Sequence, residues 1–262
     1  GLDRETELKQ LRVMRRLQQT HPMDIVATYL GAHAVPPEWK DKEDDFIDFQ
    51  ILEMLPHVAK EKLAECADVF CEKNVFTVEQ SRRYLNAAKE QGFRLKIHAD
   101  EMTSLGGAEL AAELRCLSAD HLLQASDQGI RALADAGVVA TLLPLTAFSL
   151  REPYARARTM IDAGCIVALA TDFNPGSSFS ASVPLLFALA CIYMQLSPEE
   201  ATAFTINGAA AIGRADWIGS IDVGKQGDLI LLQFPSYKFL PYHVGMNIVD
   251  TVIKQGKQIV KN

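Results

Sequence analysis

Short apolar runs alternate with amphipathic helical segments along most of this 262-residue chain, and this alternation limits the fold more than any other feature. Helical periodicity is clearest at 5–20, 78–92 and 107–116. Six apolar runs are predicted to be strands: 24–32, 66–71, 93–99, 119–123, 138–144 and 165–171. Strands that alternate with helices predict βαβ units, a parallel sheet and the α/β class, as in TIM-like barrels and open α/β sheets.

The pattern changes after the helical stretch at 197–213. The segments "GSIDVGKQGDLILLQF" and "GMNIVDTVIKQGKQIV" read as short strands joined by glycine turns with no helix between them. We therefore predict two domains, an α/β domain at 1–213 and a small β segment at 214–262.

Composition and charge exclude several classes of protein. The apolar fraction of 48% is that of a globular protein, and the net charge of −7 would repel nucleic acid and anionic membranes. The longest apolar stretch, at 136–150, is too short to cross a bilayer, and the polar opening is unlike a signal peptide. Five scattered cysteines without a C-x-x-C pair are typical of reduced, buried thiols. We expect a cytoplasmic protein that acts on a small molecule.

Residues that could bind a ligand or take part in catalysis follow the predicted strands. They are His33, His98 with Glu101, Asp120 with His121, and Asp172. Because the carboxyl ends of parallel strands meet at one edge, these side chains are expected to converge there. Taken alone, His98 would more often be a structural histidine than a ligand, and Asp172 would more often be a helix N-cap or a turn former. Together, imidazole and carboxylate groups are suitable ligands for Zn²⁺ or a similar divalent ion.

A divalent ion at such an edge makes bound water a nucleophile near neutral pH, and hydrolysis then needs a base. Glu101 and His121 are placed to take and return a proton. In "NPGSS", glycine allows the backbone to approach a ligand, and Ser177 and Ser178 can bind a substrate carboxylate. The P-loop-like "GSIDVGKQ" is rejected, because Gln226 replaces the Ser or Thr required on magnesium.

Six fragments together resemble imidazolonepropionase, the amidohydrolase-superfamily enzyme of histidine degradation. They are "LGAHAVP", "HADEM", "LGGAELAAEL", "SADHLL", "ATDFNPGSS" and "LPYHVG". The resemblance covers essentially the whole chain. It implies a metal-dependent (β/α)8 barrel with a small β-sandwich domain, a homodimer, and hydrolysis of the cyclic amide C–N bond of 4-imidazolone-5-propanoate to N-formimino-L-glutamate.

The resemblance also implies roles for individual residues. His98 and Asp172 are the implied ligands of one divalent metal, Zn or Fe, and Asp172 also accepts a proton from the water that the metal activates. Glu101 and His121 bind the substrate ring and shuttle protons. The remaining implied substrate contacts are His33, Asn174, Gly176 and Ser177.

One departure from this pattern is the absence of an H-x-H motif. Members of the superfamily carry it on the first barrel strand, yet none of the six histidines lies two residues from another. The six predicted strands therefore correspond to the third to eighth of a barrel, which leaves strand edges unpaired. Three explanations of the missing motif remain: the gene product is incomplete, its start was removed, or a second chain supplies the missing part.

Three functions remain in competition from sequence alone. The first is imidazolonepropionase chemistry that depends on ligands outside this sequence. The second is deamination of a nucleobase by the same metal and carboxylate groups, against which "NPGSS" argues. The third is a non-catalytic fragment, because two protein ligands rarely hold a catalytic zinc.

Overall fold

The computed structural model describes residues 3–262. Gly1 and Leu2, where the predicted first domain begins, lie outside this range. The chain divides into two compact units, Gly1–Val138 and Val139–Asn262. The predicted domain boundary near Gly213 lies within the second unit and stays a prediction.

The first unit contains four parallel strands. They are β1 (Thr28–Ala32), β2 (Cys66–Cys71), β3 (Arg94–Ala99) and β4 (Ser118–His121). Each pairs with the next in parallel, and the predicted runs at 66–71 and 93–99 coincide with β2 and β3 to within one residue. Consecutive strands that are parallel neighbours, with helices between them, confirm the predicted α/β class.

Helices connect these strands, and local sequence explains their ends. They are α1 (Arg4–Thr20), α2 (Glu43–Phe49), α3 (Leu55–Glu61), α4 (Val78–Glu90), α5 (Gly107–Leu114) and α6 (Asp127–Ala136), with a 3-10 turn at Pro37–Trp39 and a π-helical turn at Gln50–Met54. Helix α4 begins with a capping box in which Thr77 and Gln80 bond to each other's backbone. Helix α6 ends at Gly137, whose φ of 68° lies in the left-handed region that favours glycine.

Strand β3 has one apolar face and one polar face. Leu95, Ile97 and Ala99 are buried, and a Cβ built on Gly107 would lie 2.8 Å from the Cβ of Ala99, so this face packs closely under α5. Because side chains alternate along a strand, the opposite face carries polar residues. Strand register places two rows of side chains on that face, Asp68, Lys96 and Ser118 in one and Phe70, His98 and Asp120 in the next.

The second unit begins with the parallel strands β5 (Val139–Leu142) and β6 (Val167–Leu169). Its helices are α7 (Pro144–Leu150), α8 (Ala157–Asp162), α9 (Val183–Ile192), α10 (Pro198–Thr202) and α11 (Phe204–Ala211). Helix α11 packs on β5 and β6, where Val139, Ala168 and Ala211 form a buried cluster.

An antiparallel sheet follows, as the glycine turns predict, and consists of β7 (Leu229–Leu232), β8 (Val249–Lys254) and β9 (Lys257–Lys261). The expectation of no helix in this segment is wrong, because the one-turn helix α12 (Phe239–Tyr242) separates β7 from β8. Stacking of Phe239 and His243 on Phe234 stabilises this turn locally. Among residues 3–262, no helix combines the length and apolar character needed to cross a membrane.

Candidate metal-dependent active site

His98 lies near the carboxyl end of β3, on its polar face, and contacts a buried carboxylate. Its Nδ1 lies 2.6 Å from Oδ1 of Asp68, which sits on the neighbouring strand β2. Asp68 is 1% exposed, and neither of its oxygens accepts a hydrogen bond of regular geometry. The contact with His98 therefore compensates a charge that is costly to bury.

Three imidazole rings meet beside this contact. The ring of His33, which follows β1, stacks on Phe70 at a centroid distance of 5.1 Å and meets the edge of His98 at 4.7 Å. The ring of His121, at the end of β4, lies 5.1 Å from that of His98. Burial, together with the nearby His98, lowers the pKa of His33 to about 4, so this ring is neutral at pH 7.

His121 is paired with Glu101 across the loop that follows β3. The Nδ1 of His121 lies 3.3 Å from Oε1 of Glu101, and His121 is only 3% exposed. Its φ of 77° is in the left-handed region, which is unusual for histidine and turns the chain away from strand geometry at this point. Burial, followed by the nearby His98, lowers the pKa of His121 to about 3, so the ring offers one N–H and one lone pair at neutral pH.

Two buried carboxylates hold the loop that carries Glu101. Asp100 accepts backbone hydrogen bonds from four consecutive residues at the start of α5, at 2.8 to 3.2 Å: Leu105, Gly106, Gly107 and Ala108. Glu72 accepts from the backbone N–H of Met102 at 2.9 Å and from that of Thr103 at 3.3 Å. Glu101 therefore lies between two anchored segments, as a catalytic group requires.

A buried lysine balances the negative charge of this face. The Nζ of Lys96 lies 3.3 Å from Oδ2 of Asp120, and the hydroxyl of Ser118 donates to Oδ1 of Asp120 at 2.7 Å. Burial alone would lower the pKa of Lys96, but the carboxylates of Asp120 and Asp68 outweigh it and the pKa is raised. Lys96 is therefore an ammonium ion at neutral pH.

His98 lies among groups that can bind a divalent cation, although the ammonium of Lys96, 3.3 Å from Oδ2 of Asp120, opposes an ion between Asp68 and Asp120. Asp68, His98 and Asp120 each offer a ligand atom, and these atoms lie within 4.8 Å of one another. Imidazole nitrogen and carboxylate oxygen bind zinc and iron. The buried oxygens of Asp68, without regular hydrogen bonds, favour positive charge nearby.

In the second unit, Asp172 follows β6 with a φ of 50°, again in the left-handed region. The hydroxyl of Thr146, at the start of α7, donates to Oδ2 of Asp172 at 2.7 Å. Thr146 is 2% exposed, so this donor is held inside the unit. The bond fixes the orientation of the Asp172 carboxylate.

Asn174 shapes the loop predicted to hold substrate. Its Oδ1 accepts from the backbone N–H groups of Gly176 and Ser177, each at 2.8 Å, and its Nδ2 donates to the carbonyl of Asp172 at 2.6 Å. The backbone N–H groups of Gly176 and Ser177, which the sequence predicts to approach a ligand, therefore donate to Asn174 within the loop. The hydroxyl of Ser178, proposed from sequence as a carboxylate contact, is buried and donates to the carbonyl of Thr171 at 2.8 Å.

The structure thus brings His33, His98, Glu101 and His121 together in the first unit. In the second, Asp172 lies beside the loop of Asn174, Gly176 and Ser177. The functional roles of all these residues stay predictions.

Sequence reasoning missed Asp68 and Lys96. A signal was present, because a charged residue inside each of the apolar runs "CADVFC" and "FRLKIHA" requires a buried partner.

Comparison with known proteins identifies the family of this chain. A sequence profile described as "Amidohydrolase family" matches residues 2–260. Imidazolonepropionase of Parabacteroides distasonis is 67% identical over 258 residues, which are 98% of this chain and 62% of the relative. Imidazolonepropionase of Bacteroides thetaiotaomicron is 69% identical over 259 residues, with the same two coverages. The chain thus spans about 62% of the length of these curated relatives.

Solved structures agree on the fold. A zinc-bound adenosine deaminase from Xanthomonas campestris superposes with a TM-score of 0.72 at 20% identity, covering 95% of this chain and 63% of that one. A triazine hydrolase variant superposes with a TM-score of 0.73 at 15% identity, with the same coverages. At these identities the likeness concerns the fold alone. By its sequence over residues 2–260 and by its fold, the chain belongs to the amidohydrolase family.

Proposed function

We propose that this chain carries part of an imidazolonepropionase, a metal-dependent hydrolase that opens the ring of 4-imidazolone-5-propanoate and forms N-formimino-L-glutamate. One observation carries the proposal: the predicted site residues His98, Glu101 and His121 lie together at the carboxyl ends of adjacent strands. Relatives at 67–69% identity that bear this name support it.

The residues divide the chemistry of ring opening between them. A divalent ion, when bound, supplies Lewis-acid polarisation of the ring amide and of the attacking water. His98 and Asp172 are the proposed ligands, as the sequence predicts. Asp172 accepts one proton from the attacking water, and the pair of Glu101 and His121 passes one to the leaving ring nitrogen, so that the C–N bond breaks without net loss or gain of protons.

Substrate binding falls to neutral and hydrogen-bonding groups. His33 is a neutral ring beside His98 and is the proposed contact to the substrate in the first unit. In the second unit, Asn174, Gly176 and Ser177 form the proposed substrate loop. The hydrogen bonds that Asn174 makes within this loop support a preformed backbone shape, which lowers the entropic cost of binding.

The test compares two proteins: the chain itself, and the chain extended by the segment that precedes the matching region in the Parabacteroides distasonis relative. Both receive zinc or iron. Loss of 4-imidazolone-5-propanoate and appearance of N-formimino-L-glutamate are followed by mass spectrometry. We expect turnover by the extended chain and its loss in the His98→Gln variant, while Lys89→Gln, an exposed change, leaves turnover intact.

Other outcomes contradict the proposal in distinct ways. Ammonia release from nucleobases without ring opening would identify a deaminase. An extended chain that binds one metal per chain and turns over neither substrate would identify a non-catalytic protein. Elemental analysis of the protein as purified, before either metal is added, decides between zinc and iron.

We also propose a homodimer in the cytoplasm, without nucleic-acid or membrane partners. The net charge of −7 supports the last two points, because anionic polymers and surfaces are repelled. Light scattering coupled to size-exclusion chromatography measures the mass of the assembly, and cell fractionation measures its location. A monomeric mass at micromolar concentration would contradict the dimer.

A further inference from the structure

Asp68 is a charged residue in the middle of a buried strand that the proposed mechanism does not use. It lies on β2 between Ala67 and Val69, both fully buried, and is itself 1% exposed. Register pairs Asp68 with Lys96 and Phe70 with His98, so Asp68 lies one row nearer the amino ends of the strands than His98, on the same face. A carboxylate buried there requires a specific partner.

The partner is the Nδ1 atom of His98, 2.6 Å from Oδ1. The separation is short enough for strong electrostatic attraction, although the contact lacks regular hydrogen-bond geometry. A lone pair on Nδ1 would face the carboxylate and repel it, whereas a proton on Nδ1 makes the contact attractive. Of the two neutral ring forms, the contact therefore favours the one with Nδ1 protonated, which puts the coordinating lone pair on Nε2.

The neighbouring row explains why Asp68 serves His98 and not a cation of its own. Asp120 is already engaged by the ammonium of Lys96 and by the hydroxyl of Ser118. An ion placed between Asp68 and Asp120 would meet that ammonium at close range, which Coulomb repulsion opposes. Lys96 also offsets part of the negative charge that Asp68 brings into the interior.

We propose that Asp68 is a positioning residue, which lies beside Nδ1 of His98, favours a proton on that nitrogen and so presents Nε2 as the ligand nitrogen. Metal-binding histidines commonly donate their second ring N–H to a carboxylate, which fixes the ring and strengthens the ligand. The importance of Asp68 for catalysis rests on the proposed function. The ring form itself does not depend on metal or turnover.

The test is nitrogen NMR of the histidine rings in the metal-free 262-residue chain, at neutral and alkaline pH. The signals of His98 are identified by their loss in His98→Gln. We expect Nδ1 to be the protonated nitrogen in the unsubstituted chain. In Asp68→Leu, which removes the acceptor and puts a larger apolar side chain in its place, the Nε2-protonated form becomes the major one. A spectrum of the unsubstituted chain with Nε2 protonated overturns the proposal without any variant.

The matched control is Glu72→Gln. Glu72 is also a strand-end carboxylate at 1% exposure, but it accepts hydrogen bonds from Lys73, Met102 and Thr103. We expect the His98 ring form to be unchanged in this control, and an equal change in both variants would assign the effect to general loss of buried charge. If Asp68→Leu does not fold, Asp68→Asn keeps a neutral acceptor and is expected to give an intermediate proportion of the Nδ1-protonated form. An unchanged proportion in Asp68→Asn would then overturn the proposal.

A second measurement uses zinc affinity, determined by competition with a chelator in the extended chain. We expect Asp68→Leu to weaken binding about 10- to 100-fold, with Asp68→Asn between it and the unsubstituted protein. If the zinc affinity is unchanged while the ring form of His98 changes, Asp68 sets the ring form but does not affect metal binding, and that part of the proposal is overturned. Failure of turnover, with the expected NMR result, would instead count against the proposed function.

Discussion

Nδ1 of His121 lies 3.3 Å from Oε1 of Glu101, and both residues come from chain segments that leave neighbouring parallel strands. Burial keeps the His121 ring neutral at pH 7, because its pKa is lowered to about 3. A neutral ring beside a carboxylate can pass a proton from one side of a substrate to the other. In this contact Nδ1 of His121 faces Glu101, and Nε2 faces away from it.

Glu101→Gln is expected to lower the rate of ring opening in the extended chain by about 10²- to 10⁴-fold, since the amide cannot accept a proton. Metal content should stay at the unsubstituted level, because Glu101 is not a proposed ligand. Steady-state kinetics and elemental analysis measure the two quantities. A loss of metal that parallels the loss of rate would show that Glu101 acts through the metal site.

Lys96→Met is expected to destabilise the chain by about 3 to 5 kcal/mol, because Asp120 then stays buried without its cation. Urea denaturation measures the free energy of unfolding. The control Lys89→Met removes an exposed ammonium and should change stability by less than about 0.5 kcal/mol. Equal effects of the two substitutions would mean that the Lys96 ion pair contributes no more than a surface charge.

Thr146→Val removes the hydroxyl that donates to Asp172 and should cost about 1 to 2 kcal/mol of stability. Thr141→Val is the matched control, because the Thr141 hydroxyl is buried with no hydrogen-bond partner among residues 3–262 and its loss should be neutral or stabilising. Both are measured by urea denaturation. If Asp172 is a ligand, Thr146→Val also weakens zinc binding in the extended chain while Thr141→Val leaves it unchanged.

The thiols are expected to react slowly in the folded chain. Burial raises the pKa of Cys71 to about 11 and that of Cys116 to about 12, and it also raises the pKa of Cys66 and Cys191, so little thiolate exists at about pH 8. Cys191 is half-buried and should react first with a disulfide reagent, and all five should react after denaturation. Rapid reaction of Cys116 in the native chain would contradict its burial.

Periodicity alone predicted the parallel strands, because an apolar run between helical segments has few ways to be buried. It placed β2 and β3 within a residue of their observed bounds. It failed at α12, since a single turn of helix is too short to leave a periodic pattern. The glycine turns around it looked like those of a continuous β segment.

The candidate site divides in the same way. Residue types and their spacing after strands determined the choice of His98, Glu101, His121 and Asp172, because side chains at strand ends are the ones free to do chemistry. Sequence did not reveal Asp68 or the pairing of Lys96 with Asp120. Those contacts join different strands through lateral register, and register depends on how strands far apart in the chain align. The sequence by itself thus determined which groups stand at the strand ends, and only the tertiary structure decided which carboxylate faces which nitrogen.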